Sequence, residues 1–204
     1  MRIFVLALLL CASLASIAQK KSFEVNTKGY SIGTIFRVIA TPKINWIRGK
    51  HQVGVGPSLL LISKSGRFVT KEFQPVGLQQ SYRFTPNESN SKVKLFFYEE
   101  LTFQVINHKW ETHEWDNDGQ RYDQYKYINS EYLGLLNVGY GIELQLYQGL
   151  FIRQSVGLGI YYSASESEEL TPGAPELFNE DVNINGYPNW GFTYGFNVGL
   201  EYKF

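Results

Sequence analysis

The chain has 204 residues, 19 Lys+Arg against 19 Asp+Glu, and a content of 44% apolar and 16% aromatic residues. That is the length of one domain; the missing basic excess excludes a nucleic-acid footprint, and the apolar content excludes a disordered chain. With Tyr 14, Phe 14 and Gly 19 beside a single Met and a single Cys, strands and turns are favoured over helices, because aromatic rings suit pleated surfaces and glycine weakens helices.

In chain order, residues 1–18 read as an export signal. Arg2 supplies the positive start, Ile3 to Leu10 form an uncharged apolar run, and Ser16 and Ala18 are the small residues of a cleavage site. Cleavage is expected after Ala18, leaving residues 19–204 as one domain. The apolar run is too short to span a bilayer as a helix. Cys11 leaves with the signal, and bulky Leu10 before it argues against a lipoprotein site. The mature chain therefore has no disulfide framework.

Weak alternation of apolar and polar residues then marks strands at Ser31 to Ala40, Gln52 to Ile62, Val76 to Phe84 and Val93 to Val105. Between them the sequence predicts turns or loops at Thr41 to Gly49, Ser63 to Pro75 and Thr85 to Ser91. A polar segment from Asn107 to Ser130 follows. Beyond it, Tyr132, Gly134, Leu136, Val138, Tyr140, Ile142, Leu144 and Leu146 make an apolar face opposed by Asn137, Gly139, Gly141, Glu143 and Gln145. Leu150, Ile152, Gln154, Val156, Leu158, Ile160 and Tyr162 then face one way, opposed by Arg153, Ser155, Gly157 and Gly159. Keeping like faces together across this hairpin needs an even residue sum. That places Leu146 opposite Leu150 around Tyr147-Gln148-Gly149, and Glu143 opposite Arg153. After a second polar segment, Ser163 to Asn189, the final strand carries Trp190, Phe192, Tyr194, Phe196, Val198, Leu200, Tyr202 and Phe204 on one face, with glycine or polar residues between them.

Period two sustained over fifteen residues exceeds a common soluble strand of about five or six. At a rise of about 3.3 Å per residue and a tilt of about 40°, Trp190 and Tyr202 stand roughly 30 Å apart along a barrel axis, a membrane's thickness edged by aromatic rings. A soluble β-sandwich also alternates, but its solvated face favours Thr, Lys and Glu. Here that face repeatedly carries glycine, which suits the inside of a narrow closed barrel. The fold class is thus all-β, an antiparallel transmembrane barrel of about eight strands. Seven strands are clear. The eighth is expected at Lys20 to Thr27, turning at Lys28-Gly29, or alternatively at Arg67 to Phe73. Short turns should face the periplasm, and residues 107–130 and 163–189 should form the extracellular loops.

A cleaved signal, about eight amphipathic strands and a last strand ending in alternating aromatics at Tyr202 and Phe204 resemble the small outer-membrane barrels of Gram-negative bacteria, the OmpA/OmpX-like membrane domains. The resemblance implies an integral outer-membrane location, lipids as surroundings, and a C-terminal signal at Tyr202 and Phe204 for the barrel-assembly machinery. It implies no particular activity.

For chemistry, His108 and His113 stand among Glu111, Glu114, Asp116 and Asp118, but a spacing of five fits no helical or zinc pattern. Asp116-Asn117-Asp118-Gly119 starts like a calcium loop, yet its twelfth position is Tyr127 where a bidentate Glu is needed. No metal or cofactor is expected. A lipid hydrolase or acyltransferase would need an activated serine, for which Ser163, Ser165 and Ser167 with a loop histidine are the candidates; nothing fixes their approach, and no enzyme is expected. Inward parity instead gathers Arg37, Arg83 and Arg153 with Glu100, Glu143 and Glu201. In eight strands such matched charges fill the lumen and hold it closed, the alternative being a small charged pore. The expected role is structural, with the two long segments available to an extracellular partner and no nucleic acid involved.

Overall fold

The computed structural model describes residues 20–32, 35–65, 68–70, 74–86, 92–115, 122–169 and 189–204. The export signal with Ala18, the Asp116–Gly119 tetrad and most of the 163–189 segment lie outside them. The strands are β1 (Lys20–Ile32), β2 (Ile35–Arg48), β3 (His51–Ser65), β4 (Phe68–Thr70), β5 (Gln74–Phe84), β6 (Val93–Trp115), β7 (Tyr122–Tyr147), β8 (Leu150–Glu169) and β9 (Asn189–Lys203). Each pairs antiparallel with its neighbour, and β1 pairs with β9, so the sheet closes on itself. β4 and β5 both ladder onto β3 and together make one stave. The wall is therefore an eight-stranded barrel.

Alternation decides which way each residue faces. On β9, Trp190, Phe192, Tyr194, Phe196, Val198, Leu200 and Tyr202 are all exposed, while Thr193, Asn197 and Glu201 between them are buried. The same division holds on β7, where Val138, Tyr140, Ile142 and Leu144 face out and Asn137 and Glu143 face in. Apolar side chains outside and charges inside invert a soluble protein's arrangement. A closed wall with that surface is stable in a bilayer, where every backbone group must be satisfied by another.

Several boundaries differ from the sequence expectation. β1 does not turn at Lys28-Gly29 but continues to Ile32, with Gly29 laddered to Val38 and Phe196. Thr41 to Arg48 is strand, not turn, and only Gly49-Lys50 reverses the chain. Of Arg67 to Phe73, the described residues are the three of β4, and they extend an existing stave. In the 107–130 segment the described residues are not loop: β6 and β7 remain paired from Asn107↔Ser130 up to Trp115↔Tyr122. The 163–169 end of the other segment is likewise strand, belonging to β8. In each case polar residues imitate a turn or loop signal, whereas the ladder is made by backbone groups and tolerates polar side chains on either face. β6 runs eleven residues past its last β5 partner, the Gly77↔Gln104 pair, so β6, β7 and β8 rise as a sheet above the barrel rim.

The β7–β8 register places Glu143 opposite Arg153 as the even sum requires. At its tip the pairing shifts between Gln145 and Tyr147, so that Tyr147, not Leu146, meets Leu150 across Gln148-Gly149. Gly149 has φ +79° and Gly49 φ +55°, the left-handed values that these two turns need and that only glycine adopts without strain.

Candidate functional site

The lumen is filled in two layers. Nearest the short turns, Arg153 is the hub: its Nε donates to Glu143 Oε2 at 2.8 Å, its Nη1 to Glu24 Oε2 at 2.7 Å, and it also contacts Glu201. The hub answers a specific problem. Glu24 and Glu201 sit directly opposite each other on β1 and β9, and a like-charge pair in that position repels. Arg83 adds a second cation, 3.4 Å from Glu24 and 3.9 Å from Glu201, with its guanidinium 4.6 Å from the Phe96 ring centroid. Lys203 reaches Glu143 at 2.7 Å and Glu201 at 3.6 Å while lying 4.1 Å from the Phe151 ring centroid. Neutral donors complete the shell: Gln52 donates to Glu201 at 2.8 Å, Asn45 to Glu24 at 3.1 Å, and Ser22 to Glu201. Higher in the barrel, Lys28 donates to Glu100 at 2.9 Å, and Lys43 bridges Glu100 and Glu24 at 3.6 and 3.9 Å. Ion pairs so deprived of water hold together only when the partners also find hydrogen bonds; Arg153, Glu24, Glu143 and Glu201 find them, while Arg83 Nε and Glu201 Oε2 have no hydrogen-bond partner among the described residues.

Above this network the interior changes character. Tyr30, Ile32, Ile39, Leu60, Val76, Ile106, Leu133, Leu135 and Tyr161 are buried together inside the wall. Two irregularities supply part of that layer. Register shifts between Val38 and Ile39 and between Ser58 and Leu59 insert an extra residue in β3 and β5, reversing their parity and turning Val76 into the lumen. Tyr30 Oη donates to Gln104 at 2.6 Å.

Glycines on the inner face make room for inward rings. A Cβ at Gly139 would stand 2.8 Å from Tyr98 Cε1, and one at Gly141 2.5 Å from Phe96 Cζ. The cavity enclosed by Glu24, Tyr98, Arg83, Arg153 and Asn197 holds only about 10 Å³, on the scale of one water.

All six sequence candidates lie on the inner face and are buried. Arg83, Arg153, Glu100, Glu143 and Glu201 join one network. Arg37 does not: it sits on the far side of Ile39 and pairs with Glu131, its Nη1 donating to Oε1 at 3.0 Å. The sequence reading missed Glu24, Lys28, Lys43 and Lys203 as network members. Their signal was present, since Ser22, Glu24, Asn26 and Lys28 alternate with Phe23 and Val25, and Lys43 and Asn45 with Ile44 and Trp46. Reading Lys28-Gly29 and Thr41–Gly49 as turns hid Lys28 and Lys43, whereas Glu24 lay in the expected first strand and Lys203 shares the inward parity of Glu201. Tyr202 and Phe204 are exposed on the outer face at the end of β9, their rings stacked 6.3 Å apart. His108 and His113 belong to the backbone of β6, opposite Asn129 and Gln124. Their side chains and that of Ser167 fall outside the described residues; Ser163 and Ser165 stand on β8, with Ser165 buried.

No protein-family model matches the sequence, and no curated protein matches it. Among solved structures, the N-terminal β-barrel domain of OprF from Pseudomonas aeruginosa is similar at 10% identity over 90% of this chain and 97% of its own, with a TM-score of 0.40. A major outer-membrane protein from Thermus thermophilus shares 13% identity over 91% and 98%, at a TM-score of 0.49. The outer-membrane protease OmpT from Escherichia coli shares 6% over 92% and 98%, at 0.48; the protease activity in that name belongs to that protein. The chain's own geometry defines its class. A closed eight-stranded wall with an apolar exterior and a polar interior is an integral β-barrel of an outer membrane.

Proposed function

We propose that this chain is a non-enzymatic structural barrel that does not conduct, and that its raised β6–β8 sheet offers a surface to an extracellular partner. The observation that supports it is the double filling of the lumen: a buried ion network toward the periplasm and an apolar layer beyond it. An ion crossing such a path would have to break the Arg153 contacts and then leave its water among Ile32, Ile39, Leu60 and Leu133. Eight strands enclose little more than side-chain volume, so the filled interior ties the wall together instead of guiding solutes. The outer-membrane lipids and the barrel-assembly machinery are the partners this reading requires.

The test is reconstitution of the refolded barrel into planar bilayers beside incubation with phospholipid vesicles. No conductance steps and no release of fatty acid are expected. Regular steps from the unmodified barrel would refute the sealed lumen. Lipid hydrolysis lost on combined His108→Ala and His113→Ala substitution would refute the non-enzymatic reading.

A further inference from the structure

The short-turn end of the barrel opens into a basin of about 410 Å³ that the ion network does not fill. Its walls include Lys20, Lys50, Lys94 and Lys203 with His51, and a single carboxylate, Glu143. That carboxylate is already shared between Arg153 and Lys203. Among the described residues, Lys20, Lys50 and Lys94 have no carboxylate within 4.0 Å. Lys94 stands directly across the β6–β7 ladder from Glu143, where it adds a third positive group beside a charge twice neutralised. Four lysines against one carboxylate leave the basin a net charge of about +3, counting His51 as neutral. The deeper network does not offset this, since apart from Glu143, already counted in the basin, Lys28, Lys43, Arg83 and Arg153 face three carboxylates, Glu24, Glu100 and Glu201. A concave, low-dielectric mouth of one sign focuses its field and concentrates counter-ions.

We propose that this periplasmic basin is a binding site for a phosphate-bearing polyanion, held by Lys20, Lys50 and Lys94 above the Glu143–Lys203 floor. A lone carboxylate would leave most of the excess charge unmatched. Paired phosphate groups carry three or four negative charges in little space, and lysine ammonium groups serve them as compact point charges that need no fixed fork geometry. The ion network beneath closes the basin inward, so it is a receptor pocket rather than the entrance of a channel. The phosphate can come from a free phosphate compound in the periplasm or from an anionic lipid headgroup of the inner leaflet, which lies beside the same rim.

Inorganic pyrophosphate is the probe, titrated calorimetrically into the full barrel refolded in uncharged detergent. One saturable site per chain is expected, weakened at least tenfold by combined Lys20→Gln, Lys50→Gln and Lys94→Gln. The control removes two charges from the outer face at the same end, Lys21→Gln with Arg48→Gln, and should change affinity less than twofold. Each variant is first shown to fold by its faster migration when unboiled, and the three single variants replace the triple if it does not fold. Absence of saturable binding, or equal weakening in the control, would overturn the proposal, the second result meaning diffuse attraction only. Repeating the titration in phosphatidylcholine vesicles, with or without one part in four of phosphatidylglycerol, separates the sources. A headgroup ligand predicts at least fivefold competition by phosphatidylglycerol, lost in the triple variant; a free phosphate ligand predicts none.

Discussion

Arg153→Gln should be the most damaging single change in the lumen. It withdraws one guanidinium from three carboxylates: Glu24 at 2.7 Å, Glu143 at 2.8 Å, and Glu201. Glu143 keeps Lys203, but Glu24 and Glu201 remain face to face on the β1–β9 ladder with Arg83 at 3.4 and 3.9 Å as their nearest remaining guanidinium. Stripping a partner from a buried ion pair costs about 3–5 kcal/mol, and this site belongs in that range because Arg153 is only 3% exposed and Glu201 0%. Glu143→Gln should cost less, about 1–3 kcal/mol. Arg153 would retain Glu24 and Glu201, and Lys203 would retain Glu201 at 3.6 Å and the Phe151 ring. The double variant should fall short of the summed losses by about 0.5–3 kcal/mol, the coupling expected of residues in one network. Urea unfolding in lipid vesicles measures all four corners of this cycle. Losses below about 0.5 kcal/mol that simply add, together with a change in conductance, would mean that water screens these charges and that the sealed lumen is wrong.

Three further outcomes are expected, two from the geometry and one from the sequence. Val198→Arg, on the lipid face, should cost about 2–4 kcal/mol near the bilayer midplane, and more than the inward Gly199→Ser, whose new Cβ presses at 2.7 Å on the movable amide end of Asn26 and at 3.3 Å on the Val25 carbonyl oxygen; a reversed order in refolding titrations would place the register one residue off. Gly191→Ala should destabilise by about 1–3 kcal/mol, because a Cβ there lies 2.5 Å from the Tyr161 ring. Adding Tyr161→Val should recover part of that loss, and strict additivity in the same unfolding assay would show that the ring does not rest on that glycine. N-terminal sequencing of the protein recovered from outer membranes should begin at Gln19, and an intact Met1 or a start elsewhere would refute cleavage after Ala18.

The sequence alone determines the wall of this barrel. Alternation from Trp190 to Phe204 and from Tyr132 to Tyr162 survives in any environment that separates two faces. An odd shift would turn every apolar side chain inward, so the Glu143–Arg153 register was also legible. The inward parity of six charged residues could be read in the same way, whereas the first strand was legible only as far as Thr27, because the Lys28-Gly29 turn signal hid its continuation to Ile32. Beyond Glu143 and Arg153, which charges meet was not legible, because Arg153 is joined to Glu24 and Glu201 from strands far apart in sequence, and only closure of β1 onto β9 brings those carboxylates together. The apolar inner layer was equally hidden: Leu133 and Leu135 interrupt the alternation, and Val76 turns inward through a register shift that local pattern does not announce. The continuation of β6 and β7 as paired strands through a polar segment rests on backbone hydrogen bonds between them. Side-chain polarity does not encode those bonds, so tertiary pairing decided what composition had marked as loop.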